Sequence, residues 1–133
     1  MTELKLKIVT PDRVFFDGEI ISLVARGIEG DFQILKNHSP FVTVLDIRKI
    51  KVKLKSEERI AAVAGGYIIV RNNQITIMSD ACEWADEIDV KRAQRAKELA
   101  EKKLKASNSD KDTMNAEIAL KKAINRLDLS SKK

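Results

Sequence analysis

From Asp86 to Leu129 the chain contains no Gly, no Pro and no Phe, Tyr or Trp, while all five glycines and both prolines fall before it. Glycine and proline punctuate strands and turns, and the late segment is dominated by Ala, Leu, Lys, Glu and Arg, the strong helix formers. One sequence therefore holds two textures that a single layer cannot satisfy. The reading is β + α: an N-terminal antiparallel β-sandwich or barrel over residues 1–84, then a C-terminal antiparallel two-helix hairpin over residues 85–133.

The strands declare themselves by alternation. Leu4, Leu6 and Ile8 interleave with Lys5 and Lys7, the period-2 pattern of a half-buried strand. A turn follows at Pro11-Asp12, then apolar runs at Ile20–Val24, Phe32–Leu35, Phe41–Leu45, Ile47–Leu54, Arg59–Ala64, Tyr67–Val70 and Gln74–Met78. Lys49, Lys51, Lys53 and Lys55 alternate with Ile50, Val52 and Leu54, which marks a solvated face or a protected edge. Asn72-Asn73 is a hairpin signal because Asn tolerates positive φ. Gly65-Gly66 has no following lysine or helix pattern, so it reads as a bulge or tight turn and not as a phosphate loop. Eight or nine short strands suit a sandwich or barrel.

In the helical part, Asp86, Glu87 and Asp89 precede a first helix at the end where carboxylates favour the macrodipole. Val90, Ala93, Ala96 or Lys97, Ala100 and Leu104 follow helical spacing, and Lys102, Lys103 and Lys105 close it. After the polar loop 107–110, Asp112 or Thr113 is expected to cap a second helix with a stripe of Ala116, Ala119, Leu120, Ala123, Ile124 and Leu127. An alanine seam lets helices approach closely but buries little area, about 25 cal/mol per Å². The hairpin is expected to be marginally stable alone and to change partners or shape.

Composition sets the function classes. Hydrophobic residues make up 44% of the 133, enough for a core, and no apolar run reaches the roughly 20 residues of a membrane span, so no direct membrane insertion is expected. The opening Met1–Lys5 lacks a signal-peptide core, which predicts that the chain stays where it is made. Cys82 is the only cysteine, so no internal disulfide forms; it reads as a small buried hydrophobe. Residues 1–84 carry 12 Lys and Arg against 11 Asp and Glu, whereas residues 85–133 carry 13 against 9, so the net +5 is concentrated in the hairpin. Such a segment suits an acidic protein surface, a nucleotide, nucleic acid or anionic lipid. No paired acid and base, metal cluster or nucleophile elbow points to an enzyme. The alternative readings are a basic helical-hairpin adaptor and a nucleic-acid-binding module. The hairpin lacks aromatic stacking residues and interleaves its cations with acids, which argues against nucleic acid.

Three stretches carry a resemblance. Ile8-Val9-Thr10-Pro11-Asp12, then Gly30-Asp31-Phe32-Gln33-Ile34-Leu35 with His38 and Pro40, then Ile88-Asp89-Val90-Lys91-Arg92-Ala93 with Ala119-Leu120 and Asn125-Arg126-Leu127, together resemble the epsilon subunit of bacterial F-type rotary ATP synthases. The likeness runs in order along nearly the whole chain. It departs at Lys36-Asn37, where the family usually has Pro-Gly. The resemblance implies a non-catalytic central-stalk subunit at the cytoplasmic face of the cell membrane. Its sandwich meets the gamma subunit and the c-subunit ring, coupling ion-driven rotation to ATP synthesis. Its hairpin folds against the sandwich or extends to meet the catalytic alpha and beta subunits and restrain ATP hydrolysis. No cofactor is required; ATP is implied as a regulatory ligand, as in some bacterial members.

For nucleotide binding the resemblance points to Ile88, Asp89, Arg92 and Ala93 in the motif, with Lys122 and Arg126 on the second helix and Glu83 just before. Asp89 and Arg92 are neighbours on one helix face. Lysine at 122, where ATP-binding members tend to carry arginine, lacks the bidentate fork and predicts weak or absent binding. The competing reading is a capping carboxylate beside a solvated basic face. Arg92, Arg95, Lys103, Lys121, Lys122 and Arg126 form a basic face for an acidic partner. His38, the single histidine, reads as a loop or interface residue, since a metal site needs partners it lacks. Trp84 reads as a hinge plug or an extension of the core.

Overall fold

The computed structural model describes residues 3–130; the first two and last three residues of the domains drawn above lie outside the described residues. It forms two compact units that divide between Trp84 and Ala85.

The first unit is a β-sandwich of eight strands: β1 Lys5–Val9, β2 Val14–Glu19, β3 Ser22–Gly27, β4 Gly30–Ile34, β5 Phe41–Lys53, β6 Glu58–Arg71, β7 Gln74–Met78 and β8 Cys82–Trp84. The hydrogen-bonded order is β2-β1-β7-β6-β5-β3-β4, with β8 pairing β6. β1 runs parallel to β7 and antiparallel to β2. β7 attaches to the Tyr67–Arg71 half of β6, whereas β8 attaches to its Ala61–Val63 stretch and β3 to β5 mainly beyond Lys51. Residues from both halves, including Leu6, Ile68 and Ile77 with Leu23, Ile50 and Val63, bury into one core, so the long β5–β6 ribbon serves both layers.

The sequence splits β5 and β6 into four strands; the structure joins them into two. Pairing holds one register from Phe41↔Val70 to Lys53↔Glu58. What changes midway is the parity of burial: Leu45 gives way to Ile50 and Val52, and Ala61 and Val63 give way to Ile68 and Val70. Gly65 and Gly66 lie there at φ +80° and +122°, and the Asp46 carboxylate accepts the Ile47 N–H at 2.8 Å. The Gly65-Gly66 irregularity is thus a bend inside a strand. Lys49, Lys51 and Lys53 of the lysine row belong to β5, which lies between β3 and β6, so they mark a solvated face and not an edge; Lys55 follows the strand. β2 and β8 escape the periodicity reading because Phe15 and Phe16 are adjacent half-buried aromatics and β8 spans three residues.

The positive φ of Asn72 (51°) and Asn73 (60°) makes the tight β6–β7 hairpin, and Asn37 (65°) makes the turn where the family's glycine is replaced. The two turns are clasped: the Asn37 N–H donates to the Asn73 side-chain carbonyl at 2.6 Å, and the Asn73 amide donates to the Asn37 side-chain carbonyl at 3.2 Å.

The second unit opens with a 3₁₀ turn, Ala85–Glu87, then α1 Val90–Lys105 and α2 Asp110–Ser130. Ala93 and Ala100 on α1 and Ala116 and Ala123 on α2 are buried at seven-residue spacing, with Leu129. Ala119 and Ile124, expected in the stripe, are exposed because one seam accommodates only one face of α2. The second helix starts earlier than expected. The Ser109 hydroxyl accepts the Asp112 N–H at 3.1 Å, so Ser109 does the capping expected of Asp112 or Thr113.

Candidate functional site

The feature least visible in the sequence is an exposed apolar face on the sandwich. Val42 and Val44 on β5 lie opposite Ile69 and Tyr67 on β6, and Tyr67 lies opposite Met78 on β7. All five side chains point away from the core and are exposed, Val42 by 68% and Tyr67 by 56%. Single exposed apolar residues need no explanation, but a contiguous group across three strands marks an interaction surface. The signal was present: Tyr67-Ile68-Ile69-Val70 is apolar without alternation, as in a strand covered on both faces. Among the described residues of this unit, none covers the second face.

His38 is half-buried; its Nδ1 lies 2.7 Å from the Ser39 carbonyl oxygen, and its ring packs edge-on against Phe41 with centroids 5.9 Å apart. Among the described residues no three His, Cys, Asp or Glu side chains gather to hold a metal ion. Cys82 is half-buried and not fully so; burial pushes its thiol up, against the smaller opposing effects of the Ser79 hydroxyl and Arg13, which leaves a poor nucleophile.

The hairpin residues divide by role. Asp89 is the N-cap of α1: its carboxylate accepts the Arg92 backbone N–H at 3.1 Å. That bond, helped by the Lys91 N–H and the Arg92 and Arg95 charges, holds the exposed carboxyl below the usual aspartate range. The helix thus already uses the group the resemblance assigns to a nucleotide, although a carboxylate has lone pairs left to accept more. Ile88 and Ala93 are buried, and their side chains are apolar. Arg92, Arg95, Lys103 and Lys121 are exposed, and Lys122 and Arg126 half-buried. Because α2 returns to contact the 3₁₀ turn before α1, its C-terminal half, with Arg126, lies toward the Asp89 end. Glu83 lies in β8 of the other unit, opposite Ala62. The hairpin also exposes Leu99, Met114, Ile118 and Ile124. No helix among the described residues is long and apolar enough to cross a membrane.

Comparison with known proteins places both units. Residues 3–85 match the profile of the ATP synthase delta/epsilon chain β-sandwich domain, and residues 86–131 match that of the delta/epsilon chain long α-helix domain. Curated relatives named ATP synthase epsilon chain include one from Alkaliphilus metalliredigens, 46% identical over 132 residues, covering 99% of this chain and 98% of the relative. Another, from Caldicellulosiruptor bescii, is 42% identical over 130 residues, covering 98% and 95%. Among solved structures, a chain of the Euglena gracilis mitochondrial ATP synthase superposes with a TM-score of 0.79 at 20% identity, covering 94% of this chain and 79% of that one. At that identity the likeness is one of fold.

Proposed function

The chain belongs to the ATP synthase delta/epsilon family, and from that premise we propose that it is a non-catalytic central-stalk subunit whose sandwich docks through the outer face of β5, β6 and β7. The face carries the proposal because Val42, Val44, Tyr67, Ile69 and Met78 leave an apolar surface open that an assembly would cover. Its partner is the gamma subunit, with the c-subunit ring nearby, so that ion-driven rotation is coupled to ATP synthesis at the cytoplasmic face of the membrane. His38, half-buried beside Phe41, borders that interface.

The test is association of the full chain with a catalytic complex assembled without its epsilon chain. Both substituted side chains are exposed, so Val42→Asp combined with Tyr67→Asp leaves the core intact. The double variant is expected to bind about 100-fold more weakly, the scale of losing a central aromatic anchor. Unchanged affinity with a native circular dichroism spectrum would remove the docking reading.

A regulatory role for the hairpin has its own support. The alanine seam holds the helices by small side chains, while Leu99, Met114, Ile118 and Ile124 remain uncovered and offer a second partner an apolar surface. In an extended pose the hairpin meets the catalytic alpha and beta subunits through Arg95, Lys103 and Lys121 and restrains hydrolysis. In the folded pose ATP binds by Arg92, Lys122 and Arg126, with Asp89 at the edge, and favours that pose by binding it better. Calorimetric titration of the full chain with ATP is expected to show weak saturable binding, lowered about tenfold by either Arg92→Ala or Arg126→Ala. A parent chain that takes up no ATP removes the ligand switch and leaves docking untouched.

A further inference from the structure

We propose that the open cleft at the β6–β7 hairpin receives a single carboxylate from the partner that covers the apolar face, with Arg71 as the group that reads it. This rests on the docking reading above and adds the partner's chemistry at one edge of the interface.

The cleft holds about 340 Å³ and is lined by Ile69, Arg71, Asn72, Gln74 and Thr76. Its residues occupy successive cross-strand pairs, Ile69↔Thr76 and Arg71↔Gln74, which continue the row that begins with Tyr67↔Met78. The surface therefore passes without a break from apolar to polar as the hairpin approaches its tip. A partner lying along the apolar row reaches the cleft next.

Among the described residues, Arg71 is the only charged one lining this cleft. It is exposed and, among the described residues, is in no ion pair. Its neighbours Asn72 and Gln74 are neutral amides able to donate further hydrogen bonds. One guanidinium among amides matches one planar carboxylate, which it can hold through two parallel N–H groups. A polyanionic surface calls for several cations, and this cleft has one.

The geometry is also fixed in advance. The hairpin turn is held by the reciprocal Asn37–Asn73 bonds, and the Asn73 carbonyl accepts the Lys5 N–H at 2.9 Å. The backbone that carries Arg71 therefore needs no ordering on binding, and the remaining cost is the rotamer freedom of its side chain. At the rim of an interface such a charge governs encounter and partner choice more than total affinity.

The experiment titrates the full chain, as parent, Arg71→Ala, Arg71→Glu and Tyr67→Ala, against the catalytic complex assembled with its gamma subunit but without its epsilon chain, at low and high salt. Arg71→Glu is expected to weaken binding about tenfold at low salt, Arg71→Ala less, with both deficits shrinking as salt rises. If Arg71→Glu binds as the parent does while Tyr67→Ala binds weakly, the carboxylate inference is overturned and docking stands. If Tyr67→Ala also binds as the parent does, both readings fall together.

Discussion

Replacing Gly66 with alanine is expected to lower the unfolding free energy by at least about 3 kcal/mol, the range reserved for forced backbone and packing conflicts. Two causes act at once. The residue lies at φ +122°, where side chains are rarely found, and an added Cβ would stand 2.0 Å from the Met78 carbonyl oxygen and 2.9 Å from the Ser79 Cα. Both obstacles are backbone, so no rotamer change relieves them; β6 and β7 would have to part at the Tyr67↔Met78 pair. Gly65 provides the control. It has φ +80°, but its nearest obstacle is the Leu45 carbonyl oxygen at 3.6 Å, so Gly65→Ala carries conformational strain alone, about 1 kcal/mol. Urea unfolding followed by far-ultraviolet circular dichroism separates the two. Equal midpoints for the two variants would refute the close-contact argument.

Trp84→Ala is expected to cost about 3–5 kcal/mol, as for other buried aromatic truncations. β8 has only three residues, and its ladder to β6 is short. What holds it is the indole, which is buried, tilted against Phe15 with centroids 4.6 Å apart and edge-on to Phe16 at 6.0 Å, with the Arg59 guanidinium 3.8 Å from its centre. Trp84→Phe keeps a ring in the cluster and is expected to lose less than half as much. A double-mutant cycle with Arg59→Ala isolates the cation–π part, expected at about 1 kcal/mol. A loss below that figure for Trp84→Ala itself would mean that the aromatic cluster does not anchor the strand. The sequence left Trp84 between hinge plug and core extension; in the sandwich unit it is core.

How far the rest was legible depends on what made each signal. β1 was readable because one face is buried and one is solvated, so Leu6 and Ile8 alternate with lysines. The β5–β6 ribbon was misread as four strands because Gly65-Gly66 looks like an ending, whereas the pairing partner continues past it, and a partner cannot be seen in one strand's letters. The alanine seam was readable from Ala93, Ala100, Ala116 and Ala123, but its width was not, hence the misplaced Ala119 and Ile124. The apolar face was overlooked for a related reason. Alternation rules equate apolar with buried, and Val42, Tyr67 and Ile69 break that equation. In the hairpin motif, spacing placed Asp89 beside Arg92, but only the structure shows the carboxylate engaged by the Arg92 main chain.

Where Ala93, Ala100, Ala116 and Ala123 line up, the helices meet as two smooth rails. Alanine methyl groups do not interlock as leucine knobs do in their holes. Parting them along this stretch forces no side chain through a crowded, half-disengaged stage. Should the hairpin rearrange as proposed, the seam itself would add little hindrance, and contacts outside it would be left to set the pace.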